Sequence, residues 1–105
     1  MTELPEAAIS AQIAEYLTRA GWEVVVFAQD RAVRRQMSGW VDIAAFKFDA
    51  TLLIECKTRT GRVRASQERL FTRLMPHTGP HLWHVLARDL ETLVEVVGMV
   101  EVNRP

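Results

Sequence analysis

The sequence predicts one α/β domain of the α+β kind, with elements running α-β-β-β-α-β-α. The chain has 105 residues and a mass of 12.0 kDa, the size of one ordinary domain. Its residues are 49% hydrophobic and 25% charged, which excludes disordered and collagen-like chains. Apolar residues recur at helical and then at strand spacing, and no repeat, linker or low-complexity stretch divides the chain.

Residues 5–20 place Ile9, Ile13, Tyr16, Leu17 and Ala20 on one helical stripe, with Pro5 suited to the first turn and Gly21 to the stop. Trp22 to Phe27 is a β-branched and aromatic run, hence a strand. Residues 29–39 have no clean period and are expected to form an exposed loop. Val41–Phe48 and Thr51–Lys57 read as an antiparallel hairpin around Asp49-Ala50. Thr60-Gly61 breaks the chain. Ser66 then caps a helix over about 67–75 with Leu70, Phe71 and Leu74 inward, ended by Pro76 and Gly79-Pro80. Leu82–Ala87 is another strand. Asp89 caps a last helix bearing Leu90, Leu93, Val94 and Val97, which Gly98 is expected to stop, leaving 99–105 as a short strand or tail.

No apolar run approaches the roughly 18 to 20 residues that cross a bilayer. The first residues carry acid where a signal peptide carries base. The single Cys56 excludes an internal disulfide framework and a cysteine-based zinc site. A cytoplasmic location is the expectation.

The formal net charge is zero, yet its distribution is uneven. From Arg31 to Arg73 ten bases face four acids, a net of +6, whereas the flanking stretches are acidic. Eleven of the thirteen bases are arginine, whose planar fork suits phosphate.

Within this basic stretch lies Thr51-Leu52-Leu53-Ile54-Glu55-Cys56-Lys57. On a strand, Leu52, Ile54 and Cys56 share one face while Leu53, Glu55 and Lys57 share the other. A carboxylate and an ammonium at the end of so apolar a strand are costly unless they pair or bind something. Taken alone, Glu55 and Lys57 favour a structural ion pair near a strand end. Asp42, opening the neighbouring strand, lies near the same end of the hairpin. Two carboxylates brought together repel, and a divalent cation relieves that repulsion. Mg²⁺ binds through one or two carboxylates plus water and substrate phosphate. With Lys57 nearby to orient or deprotonate water, the set suits metal-assisted phosphodiester hydrolysis.

Gly39-Trp40-Val41-Asp42, then Ile54-Glu55-Cys56-Lys57-Thr58, Gly61-Arg62-Val63 and Ser66-Gln67 resemble the PD-(D/E)XK nuclease superfamily, and more narrowly its virus-type replication-repair nuclease (VRR-NUC) family. Glu6, Gly21 and Arg88-Asp89-Leu90 extend the resemblance over nearly the whole chain. Val41 departs from the superfamily's proline, and Ser10 stands where the family has a glutamine. The resemblance implies a restriction-endonuclease-like domain over 1–105, with a mixed central sheet flanked by helices. It implies an endonuclease dependent on Mg²⁺ or Mn²⁺. Asp42, Glu55 and the backbone carbonyl of Cys56 would be its ligands, Lys57 its catalytic lysine and Gln67 an accessory residue. Glu6 would be a further acid, with Glu15 as competitor. Small stand-alone relatives imply a homodimer cutting branched DNA such as four-way junctions, in a bacterium or a phage-infected cell.

Arg59, Arg62 and Arg64 in the loop after Lys57, Arg69 and Arg73 on one helix face, and Arg34 and Arg35 in the earlier loop are the candidate DNA contacts, positioning a duplex without reading sequence. His77, His81 and His84 straddle Gly79-Pro80 and make a poor metal site; His84 reads as a satisfied core histidine, and Cys56 as a buried thiol. Trp22, Trp40 and Trp83 read as packing residues, with Trp40 beside Asp42. The alternatives are a nucleic-acid-binding module, such as a double-stranded-RNA-binding domain, and an inactive nuclease-fold scaffold. The first wants a lysine cluster opening its last helix, which Ser66-Gln67-Glu68-Arg69 does not supply.

Overall fold

The computed structural model describes residues 3–27 and 39–102. Residues 29–38 of the expected 29–39 loop, with Arg34 and Arg35, and the last residues 103–105 lie outside them. Helix α1 spans Glu6–Arg19, strand β1 Glu23–Val26, β2 Ile43–Lys47, β3 Ala50–Cys56, helix α2 Ala65–Leu74, β4 Leu82–Ala87 and helix α3 Leu90–Val102, with a short 3₁₀ turn at Met75–His77. The order is the predicted one.

The sheet runs β1-β2-β3-β4, with β1/β2 and β2/β3 antiparallel and β3/β4 parallel. It is therefore mixed, because α2 carries the chain across between β3 and β4. On one face Ile9, Ile13 and Leu17 of α1 and Leu93, Val97 and Val100 of α3 bury against Ile43, Ala45, Leu52, Ile54 and Cys56. On the other, Leu70 and Leu74 of α2 pack with Val41, Ala44, Leu53 and Leu82. Strand β3 is covered on both faces, and its apolar run made it the natural centre.

Helix α1 ends as its sequence demands. Gly21 takes φ +92°, its N–H donates to the Thr18 carbonyl, and the Trp22 N–H donates to that of Leu17. This is a Schellman stop, closed by contact between the buried Leu17 and Trp22.

Three local expectations need correction. The hairpin turn is Phe48-Asp49, with Ala50 already paired to Lys47. Ala50 is buried in the core, so the turn moves back one residue and Phe48 accepts φ 54°. Helix α2 begins at Ala65 behind Arg64, leaving Ser66 inside the first turn rather than at the cap. Helix α3 runs through Gly98 to Val102. Burying Val100 at the next turn outweighs the roughly 1 kcal/mol that a helical glycine costs. Asp89 does cap α3, its Oδ1 accepting the Thr92 N–H at 2.7 Å.

Candidate active site

Asp42 sits where β2 has not quite begun. Its N–H donates to the Ile54 carbonyl of β3 at 3.0 Å, while its own carbonyl accepts the Phe27 N–H beyond β1 at 2.8 Å. In a regular strand both groups of one residue point the same way; here the backbone turns at Asp42, as bulges beside functional sites do. The turn lays the carboxylate against β3, where Oδ2 accepts the Cys56 N–H at 2.8 Å. Gly39, at φ +86°, brings the approach to Asp42 against α2: a Cβ there would stand 2.8 Å from the Ser66 Cβ.

Glu55 is 1% exposed, Asp42 4%, Lys57 6% and Gln67 7%. Gln67 reaches Glu55 from the first turn of α2, its Nε2 donating to Oε1. Its Oε1 in turn accepts the Arg64 N–H at 2.9 Å, which fixes the amide's orientation and caps the helix. Arg64, having no acceptor, cannot return that bond from its side chain. Glu55 is pushed up from 4.5 to about 9, first by burial and then by the Asp42 charge and the side-chain hydrogen bond the two carboxyls share; Lys57 opposes the rise and Glu6 adds to it. Two buried acids whose charges repel leave the site short of positive charge.

That shortage is what a divalent cation would relieve. The Cys56 N–H faces Asp42, so in a regular strand its carbonyl lies on the same side. Two carboxyls and one carbonyl form a hard, oxygen-only donor set suited to Mg²⁺ or Mn²⁺. Among the described residues no group of three or more His, Cys, Asp or Glu is disposed to hold a metal ion. An ion here would complete its shell with water and substrate oxygen, as Mg²⁺ does.

Of the candidate acids on α1, half-buried Glu6 is the one whose charge reaches Glu55. Glu15 is exposed and pairs with Arg19 at 2.8 Å. Ser10 is buried, and burial, foremost, pushes the Cys56 thiol up to about 12; Cys56 is thus an unreactive core residue, as its strand face indicated.

Arg59, Arg62, Arg64, Arg69 and Arg73 are all exposed, and among the described residues none is in an ion pair. Lys47 leaves the basic set: its Nζ donates to the Ala20 carbonyl at 2.8 Å, lies 3.4 Å from Glu101 and stands over the Trp22 ring. His84 stacks on Phe71 with ring centroids 3.6 Å apart, yet among the described residues neither of its buried nitrogens has a partner, so it is not the satisfied histidine expected. Trp40 packs edge-on to Phe27 at 6.2 Å.

Two residues at the margin of the cluster make contacts that the sequence reading did not assign to them. Arg88 donates to three carbonyls of the loop after Lys57, and Glu3 accepts from Thr60 in the same loop. Arg88 entered the sequence reading only within Arg88-Asp89-Leu90 of the resemblance, and Glu3 was not singled out as a site residue.

No family model matches the sequence, and no curated protein matches it. Among solved structures, a "VRR_NUC domain protein" superposes with a TM-score of 0.70 at 14% identity, over 98% of this chain and 93% of that one. The chain therefore has the fold of that VRR_NUC domain protein.

Proposed function

We propose that this chain of VRR_NUC fold is a metal-dependent, structure-selective DNA endonuclease that hydrolyses phosphodiester bonds, with branched DNA such as four-way junctions as substrate. The supporting observation is the buried Asp42–Glu55 pair, short of positive charge, beside Lys57 and Gln67 and flanked by exposed arginines. Asp42, Glu55 and the Cys56 carbonyl would hold Mg²⁺ or Mn²⁺. When bound, such an ion supplies a Lewis acid for a phosphoryl oxygen and makes water a better nucleophile at neutral pH.

The protein's own residues do the rest. Lys57 is held by its N–H bond to the Ala87 carbonyl at 3.0 Å, and its ammonium lies near enough for Glu55 to feel it. There it orients the attacking water and offsets charge developing on the phosphate. Gln67 fixes the Glu55 carboxyl by hydrogen bonding. Glu6 adds negative charge at the rim. The arginines bind phosphates and carry no base readout, which suits selection by shape. A homodimer fits this function, since one chain carries one site and symmetric junction cutting needs two; a 12 kDa species alone in light scattering at micromolar concentration would contradict it.

Labelled junction, flap and plain duplex, incubated with purified protein in Mg²⁺ or EDTA, test the proposal. Cleavage is expected in Mg²⁺ only, with the junction preferred, and Lys57→Ala is expected to lower the rate by about 100-fold or more. Equal cutting by wild type and Lys57→Ala would overturn it.

A further inference from the structure

The loop joining Lys57 to Gln67 opens with a turn gripped from two sides. The Thr58 carbonyl accepts the Gly61 N–H at 3.2 Å, closing the four residues Thr58–Gly61. Nη1 of Arg88 donates to the carbonyls of Thr58 and Gly61, each at 2.7 Å, and of Arg59 at 3.2 Å. Opposite, the Glu3 carboxylate accepts the Thr60 N–H at 2.9 Å and its hydroxyl at 3.3 Å. A side chain that only donates takes the carbonyls, and one that only accepts takes the amide. The turn is also tight, for a Cβ on Gly61 would meet the Thr58 Oγ1 at 2.7 Å.

Arg88 is placed for this by the sheet. Ala87 is the last β4 residue paired with β3, and its carbonyl takes the Lys57 N–H. Arg88 therefore emerges beside Lys57, where the loop leaves the sheet. The segment it grips carries Arg59 in the turn, then Arg62 and Arg64, and at its far end the Arg64 N–H is held by Gln67. A loop ordered in advance avoids the entropy of ordering it at each encounter.

We propose that Arg88, assisted by Glu3, is a positioning residue that clamps the Thr58–Gly61 turn so that Arg59, Arg62 and Arg64 meet the phosphates of DNA seated over the Asp42, Glu55 and Lys57 cluster. The inference rests on the nuclease reading. Arg88 acts through the loop, whose carbonyls engage its Nη1 donors.

Anisotropy of labelled duplex and four-way junction, measured over a NaCl series, tests it with wild type, Arg88→Ala, Arg88→Lys and Glu3→Ala. Arg88→Ala is expected to weaken binding about tenfold and to flatten the log–log salt slope by about one unit or more, as lost phosphate contacts do. In Mg²⁺ it raises KM and leaves kcat within about threefold, because Lys57 keeps its own bond to β4. All three carbonyls are reached from one nitrogen, so a lysine ammonium with its three donors is the rescue: Arg88→Lys returns to within about threefold of wild type. Glu3→Ala moves affinity and slope the same way by less; Glu3 is exposed, so this variant keeps the test decisive if Arg88→Ala fails to fold. Salt slopes unchanged in Arg88→Ala and Glu3→Ala while wild type binds would overturn the clamp alone. A wild type that binds neither DNA would overturn the nuclease reading and the clamp with it.

Discussion

Glu55 governs how the stability of the protein responds to pH. Its folded value of about 9 lies above the ordinary 4.5, so the folded state favours the protonated carboxyl. The stability this contributes is complete below pH 4.5 and is lost as pH rises toward 9, at up to about 1.4 kcal/mol per pH unit. In EDTA the melting temperature should therefore fall between pH 5 and 9. Glu55→Gln, a permanent mimic of the protonated group, should flatten that fall and reduce cleavage to background. A wild-type melting temperature that climbs over the same window would contradict this account of the site. Burial is also the reason Glu55 stood out in the sequence, since an acid so deep in an apolar strand needs a partner. The turn of the backbone at Asp42 had no such signal: it comes from the Phe27 N–H, just past β1, taking the Asp42 carbonyl, a contact made across the chain.

At the level of elements, two glycines make opposite predictions. Gly98 lies inside α3, exposed, with open space where a Cβ would stand. Gly98→Ala should raise stability by about 0.5–1 kcal/mol in urea unfolding. Gly39 combines φ +86° with the Ser66 backbone oxygen 2.9 Å from any Cβ. Gly39→Ala should lose about 2 kcal/mol or more and weaken metal binding too, because it separates the Asp42 approach from the first turn of α2. These positions also mark how far elements were legible. The stripe of Ile9, Ile13 and Leu17, the stop at Gly21 and the cap at Asp89 are local, and the chain obeys them. The stop at Gly98 failed because Val100 is buried by neighbours distant in sequence, and the hairpin turn moved because Ala50 is pulled into the core. Tertiary burial outranked local preference in both.

Over the whole molecule the arrangement of charge is what suits a polyanion. Five exposed arginines follow Lys57 in sequence, while Lys47 is engaged by the C-terminal end of α1 and by Glu101. Replacing Arg69 and Arg73 together by glutamate should weaken DNA binding at least about tenfold and reduce its salt dependence, with little change in melting temperature because both side chains are exposed. The basic stretch was readable from composition; that Arg88 and Glu3 tie its loop was not, for those bonds join residues 27 to 57 positions apart. The central claim is that Asp42 and Glu55 together hold one divalent ion. Titration with Mn²⁺, followed by the electron paramagnetic resonance of the free ion, tests it without reference to cleavage. One Mn²⁺ bound per chain by wild type, and none by Asp42→Asn or Glu55→Gln in their folded states, is the predicted result; Mn²⁺ bound equally by all three, or by none, would contradict it.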